Sequence, residues 1–165
     1  LIDEEGLNYM SSVVLGLIDA LVEFTGALAG YTFALQHAKL VALTGAITGI
    51  AAALSMAASE YLSTRTENNV HKNALKAAVY TGIAYVITVV VLILPFVLLS
   101  NVYWGLGVCL FGALVIIAIF NYYYSIVKTE SFRHRFTEMA IISIGIAAIS
   151  FLIGYALRVF TGIEL

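Results

Sequence analysis

Long runs of apolar residues without charge dominate the pattern of this chain. A helix needs about 20 apolar residues to cross the hydrocarbon core of a bilayer. One run, 77–127, is too long for a single crossing, and its polar break at Ser100 and Asn101 divides it in two. The runs do not alternate apolar and polar residues, as the strands of a membrane barrel do. The pattern therefore predicts an all-α integral membrane protein, a single transmembrane domain over 1–165. Its five transmembrane helices are expected near residues 7–35, 40–62, 74–99, 102–126 and 137–159.

The composition points the same way and excludes several classes of protein. Of the 165 residues, 62% are hydrophobic and 11% are charged, and the mean hydropathy is +1.00. A soluble domain usually has roughly 25% charged residues, so neither a soluble enzyme nor a disordered chain fits. The net charge of −2 leaves no basic patch for nucleic acid. The single cysteine, Cys109, allows neither an intrachain disulfide nor a Cys-rich metal site.

Basic residues are concentrated on one side of the predicted bundle. The loops 63–76 and 128–136 hold three each, whereas the other side has only Lys39 and Arg158. The positive-inside rule places these loops and the N-terminus in the cytoplasm, and five crossings put the C-terminus on the opposite side.

Two carboxylates interrupt the first predicted span. Asp19 and Glu23 are four residues apart, so they share one helix face, where like charges repel. A carboxylate at the centre of a membrane helix costs about 2.5–3.5 kcal/mol on insertion scales. Protonation or a cation held between the two groups would lower that cost. The structural alternative is a pair of acids hydrogen-bonded to neighbouring helices, but ionisable groups at this depth usually mark functional sites.

The second predicted span ends with Met56 and Glu60, which also share one face. Taken singly, Met56 is typical of packing, and Glu60 is typical of an acid that reaches to the interface. The short loop between the first two spans makes them pack side by side, so their acidic faces can meet with a thioether between them. Carboxylates with a thioether suit a borderline divalent ion, Fe²⁺ first and then Mn²⁺, Co²⁺ and Zn²⁺. We therefore predict a transported metal at Asp19, Glu23, Met56 and Glu60.

Other features add less. Gly26 and Gly30 in the first span, and Gly45 and Gly49 in the second, have the spacing that lets helix backbones approach closely. Glu67 and His71 could also capture metal, although a solvated loop is the simpler explanation for them. No catalytic constellation and no motif for a permanently bound cofactor is visible, so the chain is not expected to be an enzyme.

Two segments resemble the vacuolar iron transporter family. Residues 53–63, ALSMAASEYLS, resemble the signature of that family's second helix. Residues 16–21, GLIDAL, and 26–30, GALAG, resemble its Asp-bearing first helix. The resemblance implies a homodimer that exports Fe²⁺, and often Mn²⁺, from the cytoplasm in exchange for protons, between the first two helices near the dimer axis.

The resemblance also implies roles for particular residues. Asp19 and Met56 match the family's metal-contact positions inside the membrane, and Glu23 and Glu60 resemble a Glu-containing variant of a prokaryotic branch. Some members of that branch carry an N-terminal ferritin-like, rubrerythrin-type domain, and a sequence that starts at Leu1 is compatible with the removal of such a domain. For a member of that branch we expect a prokaryotic inner or plasma membrane, and for a eukaryotic member a vacuolar-type membrane. Plant-type members have a Glu-rich helical domain between spans two and three, for which residues 63–73 are too few. They also have a bending Pro in the first helix, where this chain has Phe24.

Two other functions stay open. The chain could be a non-transporting membrane anchor or dimerisation module of a metal-handling protein, although an anchor does not need buried acids. It could also be a proton-coupled exporter of small organic cations, since a carboxylate in the first helix would serve that as well. Met56 and the several acids favour a metal. The expected partners are thus the lipid bilayer, divalent metal ions, protons and a second copy of the chain.

Overall fold

A computed structural model describes residues 4–66, 72–128 and 131–162 of the chain. Over these residues every regular element is a helix, and five helices are long and apolar enough to cross a membrane. The prediction of an all-α fold with five spanning helices is confirmed.

The first span is one continuous helix in three parts. It consists of α1 (Glu4–Asp19), a π-helical segment (Ala20–Phe24) and α2 (Thr25–Leu35). The other four spans are regular α-helices, and two of them run well past the predicted apolar runs into polar sequence. They are α3 (Ala38–Thr66), α4 (Ala74–Leu98), α5 (Val102–Lys128) and α6 (Phe132–Thr161).

Asparagine side chains set the starts of α4 and α5. The side-chain oxygen of Asn101 accepts hydrogen bonds from the backbone amides of Tyr103 and Trp104, at 3.0 and 3.2 Å. Asn73 caps α4 in the same way. Because a cap satisfies amides that have no partner inside the helix, Asn is strongly preferred there. Asn101 thereby begins a new helix at the polar break in the long apolar run.

The first span lies at the centre of the bundle and is the most buried of the five. It packs against α4 along α1 and against α6 along α2, while α3 packs on α4. Leu21, Phe24 and Leu28 of this span are fully buried together with Tyr85 and Phe96 of α4. The helix that carries Asp19 and Glu23 is therefore surrounded by neighbours on several sides.

Glycines permit two close approaches between backbones. A Cβ atom at Gly16 would collide with the backbone carbonyl of Thr81 in α4, and one at Gly154 would collide with that of Gly30. Small residues allow such contacts between membrane helices. The predicted glycine pairs are also used within the chain. Gly26 and Gly30 face α6, whereas Gly45 and Gly49 face side chains of the first span and α4.

Candidate functional site

The acidic pair lies where the first span changes its helical form. Asp19 ends α1, and Glu23 belongs to the π-helical segment that follows. The two carboxyl groups are within hydrogen-bonding reach of each other. Asp19 is half-buried, whereas Glu23 is exposed on the surface of the single chain. The π-helical segment and the two acids lie near the middle of the span. Single π-helical turns inside α-helices occur frequently at functional sites, which makes this segment a candidate site.

Tyr85 of α4 is a polar neighbour of this pair that the sequence analysis missed. The residue is fully buried, and its hydroxyl finds no hydrogen-bond partner among the residues that the structure describes. The hydroxyl lies close enough to the carboxyl groups of Asp19 and Glu23 to interact electrostatically with both. A buried hydroxyl without a partner costs about 1–3 kcal/mol, and native structures contain few such groups. The Thr25 hydroxyl and the Asn121 side-chain oxygen are likewise buried without a partner among the described residues.

A signal for Tyr85 was present in the sequence. The tyrosines of α5 lie near its ends, where aromatic side chains meet the membrane interface. Tyr85 instead lies near the middle of α4, where its hydroxyl has no interface to reach. A phenol at that depth needs a polar partner inside the protein.

Glu60 occupies a second polar site, nearer the start of the first span. Its Oε1 atom accepts a hydrogen bond of 2.6 Å from the Ser12 hydroxyl. The same atom lies 2.8 Å from the ammonium group of Lys72. The Thr81 hydroxyl donates to the backbone carbonyl of Ser12 at 2.9 Å, which ties α4 to the same place. Glu60 is therefore buried and paired inside the bundle and does not reach out to the interface.

Met56 lies one helical turn from Glu60, half-buried against the hydrophobic core. The α3 helix runs antiparallel to the first span, because Glu60 meets Ser12 while Gly45 lies against Leu28. Asp19 follows Ser12 by seven residues, which is about 10 Å along the helix axis. Met56 thus lies at a depth between Glu60 and the acidic pair.

Within one chain, the four predicted metal ligands lie at successive depths along the helix axes. The described residues contain no group of three or more His, Cys, Asp or Glu side chains that could hold a metal ion. Asp19 and Glu23 are brought together, Glu60 lies apart with Lys72, and Met56 lies at a depth between these two sites. Glu67 and His71 are outside the described residues. An arrangement of this kind suits an ion that passes from site to site, since a structural metal needs a closed shell of ligands.

The fold and these polar sites define a multi-pass membrane protein with two acidic groups near the middle of its most buried span. Residues 10–75 match the model of the VIT family, the vacuolar iron transporters. The match takes in all four predicted ligands and confirms the resemblance drawn from the two helix motifs. A search of curated proteins found no match to this chain.

The family match covers residues 10–75 and supports a general class of function. It implies transport of metal ions across a membrane, and the members of this family are transporters rather than enzymes. Together with the five apolar helices, it makes the chain a multi-pass integral membrane protein.

Proposed function

We propose that the chain exports a divalent metal ion from the cytoplasm in exchange for protons, with Fe²⁺ as the first substrate and Mn²⁺ as the second. The observation that carries this proposal is the pair of adjacent carboxyl groups, Asp19 and Glu23, in the middle of the most buried span. Two carboxylates placed together in an apolar bundle need a counter-charge, which either a divalent cation or protons can supply.

Competition between metal and protons at these oxygens is sufficient for exchange. A divalent cation binds the deprotonated carboxylates, and protons on the acidic side displace it. Alternation of access to the two sides then couples the two flows. In this scheme Glu60 receives the metal at the cytoplasmic end, and Met56 favours a borderline ion over Mg²⁺ and Ca²⁺. Asp19 is the essential acid, and Glu23 adds charge and carries a proton.

The exposure of Glu23 supports a homodimer. The side chain lies on the outer surface of the single chain, near the middle of an apolar span. A charged group at this depth almost always faces protein or water rather than acyl chains. A second copy packed against this face would cover Glu23 and bring two acidic pairs close to one axis. The transport path would then be completed by the partner copy.

Transport by purified protein tests the proposal. Proteoliposomes would be loaded with a metal-sensitive dye and given Fe²⁺ under anaerobic conditions, with and without an acidic interior. We expect metal influx that needs the pH gradient and is lost in Asp19→Asn. The matched control is Glu138→Gln, which removes an exposed acid from α6 and should transport normally.

Two results would contradict the proposal. Normal transport by folded Asp19→Asn would remove Asp19 from the mechanism. A folded wild-type protein that moves none of Fe²⁺, Mn²⁺, Co²⁺ and Zn²⁺ would favour a membrane anchor, or, if it carries an aromatic cation instead, an exporter of small organic cations.

A further inference from the structure

Lys72 is held in a defined place at the end of the bundle where α1 begins. The next residue, Asn73, donates its backbone N–H to the Tyr9 hydroxyl at 3.0 Å and caps α4 with its side chain. The chain is therefore fixed just after Lys72, and the lysine side chain extends into the gap between α1 and α3. Its ammonium group lies 2.8 Å from Glu60 and 3.5 Å from the Ser11 hydroxyl.

The Lys72–Glu60 ion pair is largely shielded from solvent, with 13% of the lysine and 9% of the glutamate side-chain surface exposed. Stability alone is a weak reason for such a pair, because apolar replacements of buried ion pairs are often neutral or stabilising. The ammonium group lies on the carboxylate oxygen that would receive a metal ion. The chain's own cation, the Lys72 ammonium group, therefore occupies Glu60, the ligand that would bind the metal first.

We propose that Lys72 is a tethered competitor for divalent metal at Glu60 and a determinant of selectivity at the start of the path. This inference rests on the proposed function, in which Glu60 is the receiving ligand. A tethered group has an effective concentration in the millimolar range or above, so a monovalent ion in solution displaces it poorly. A divalent ion attracts the carboxylate about twice as strongly at the same distance. Metal binding releases Lys72, and the passage of metal to Met56 lets it return.

Binding of Mn²⁺ to the purified protein tests the competition without any transport step. The free ion would be followed by its electron paramagnetic resonance signal. Lys72→Gln keeps a hydrogen-bond donor but removes the charge. We expect it to tighten Mn²⁺ binding by about tenfold, since the carboxylate loses its competing cation. Arg65→Gln is the matched control, because it removes an exposed charge on the last turn of α3 and should leave binding within about twofold.

A double-mutant cycle assigns the effect to Glu60. In a Glu60→Gln background, Lys72→Gln should no longer change Mn²⁺ binding, because the carboxylate for which the cations compete is absent. Unchanged or weaker binding in folded Lys72→Gln would overturn the inference, and so would an equal gain in the Glu60→Gln background.

A second measurement uses the wild-type chain and therefore does not depend on how the variants fold. Lysine acylation would be followed by mass spectrometry with and without Mn²⁺. We expect Mn²⁺ to increase labelling of Lys72 and to leave Lys39, an exposed lysine at the other end of the bundle, unchanged. Lys72 labelling that stays constant while Mn²⁺ occupies a site dependent on Glu60 would overturn the competition. Failure of metal transport in proteoliposomes would overturn the proposed function instead, and the competition at Glu60 would still be measured by these binding assays.

Discussion

The Ser12 hydroxyl donates a hydrogen bond of 2.6 Å to the Glu60 carboxylate, across 48 positions of the chain. Thr81 of α4 binds the backbone carbonyl of the same serine, so α1, α3 and α4 meet at one buried polar cluster. Separation of α1 from α3 at this end of the bundle would break the Ser12–Glu60 bond. The cluster therefore holds three helices together at the place where metal is proposed to enter.

Ser12→Ala should lower the free energy of unfolding by about 1.5–3 kcal/mol, because it removes a hydrogen bond to a buried carboxylate. The measurement is denaturant unfolding in detergent, with the exposed neighbour of Glu60, Ser59→Ala, as control. Equal stability of the two variants would mean that the bond contributes nothing to holding α1 on α3.

Gly16→Ala should destabilise the bundle, because a methyl group there collides with the backbone of α4 at Thr81. Backbone cannot move aside as a side chain can, so we expect a loss of about 1–3 kcal/mol. Gly107→Ala is the matched control, since a Cβ there meets nothing within 4 Å, and helix propensity should make it more stable by about 0.5–1 kcal/mol. Thermal unfolding of the two variants checks the contrast. A tolerated Gly16→Ala would contradict the close approach of α1 and α4.

Met56→Leu should keep the fold and weaken the preference for Fe²⁺ over Mg²⁺. The substitution nearly conserves volume and costs less than about 1.5 kcal/mol of stability, but it removes the soft ligand. Competition between the two ions in the dye-loaded proteoliposomes measures the effect, which should be about tenfold, or about 1.4 kcal/mol. Unchanged selectivity would leave Met56 with a packing role only.

Tyr85→Phe should lower metal transport by about tenfold, while the free energy of unfolding should stay the same or rise by about 1–3 kcal/mol, because an unpaired buried hydroxyl is removed. The hydroxyl has no partner to lose in the described structure, so its removal costs little in folding. We expect the hydroxyl to donate a hydrogen bond to a carboxylate of the acidic pair during transport, an interaction typically worth about 1.5–3 kcal/mol. Parallel unfolding and transport assays separate the two effects. A Tyr85→Phe protein with normal transport would show that the hydroxyl serves neither acid.

Glu23→Cys should form a covalent dimer under mild oxidation, if the face that carries Glu23 packs against a second copy. The native Cys109 is buried, and the experiment would be made in a Cys109→Ala background. Ile119→Cys, on an exposed face of α5, is the control and should remain monomeric on a non-reducing gel. Cross-linking at Ile119 but not at Glu23 would place the dimer interface elsewhere.

The parts of the protein that could be predicted are those that depend on neighbours in sequence. The thickness of the bilayer sets the length of an apolar run that spans it, so the five helices were predictable from the lengths of the runs. The four-residue spacing of Asp19 and Glu23 sets their separation on one helix, and the structure places their carboxyl groups together. The polar break at Asn101 was also visible, because a cap acts on residues two and three positions further on.

The parts that could not be predicted depend on the register between helices far apart in the chain. No local pattern indicates that Lys72, one of the three basic residues in 63–76, meets Glu60, or that the hydroxyl of Tyr85 lies near the acidic pair. The small residues at Gly26 and Gly45 indicated close packing, but their actual neighbours in α6, α4 and the first span could not be deduced.

The sequence by itself therefore determined the number of spans, the membrane environment and the presence of acids in the first helix, because bilayer thickness and helix periodicity act on consecutive residues. Only the tertiary structure decided which polar groups are paired, which are buried without a partner and which remain on the outer surface. The physical reason is that a buried charge or hydroxyl is satisfied by groups brought to it by packing, and helix packing depends on the shapes of whole faces.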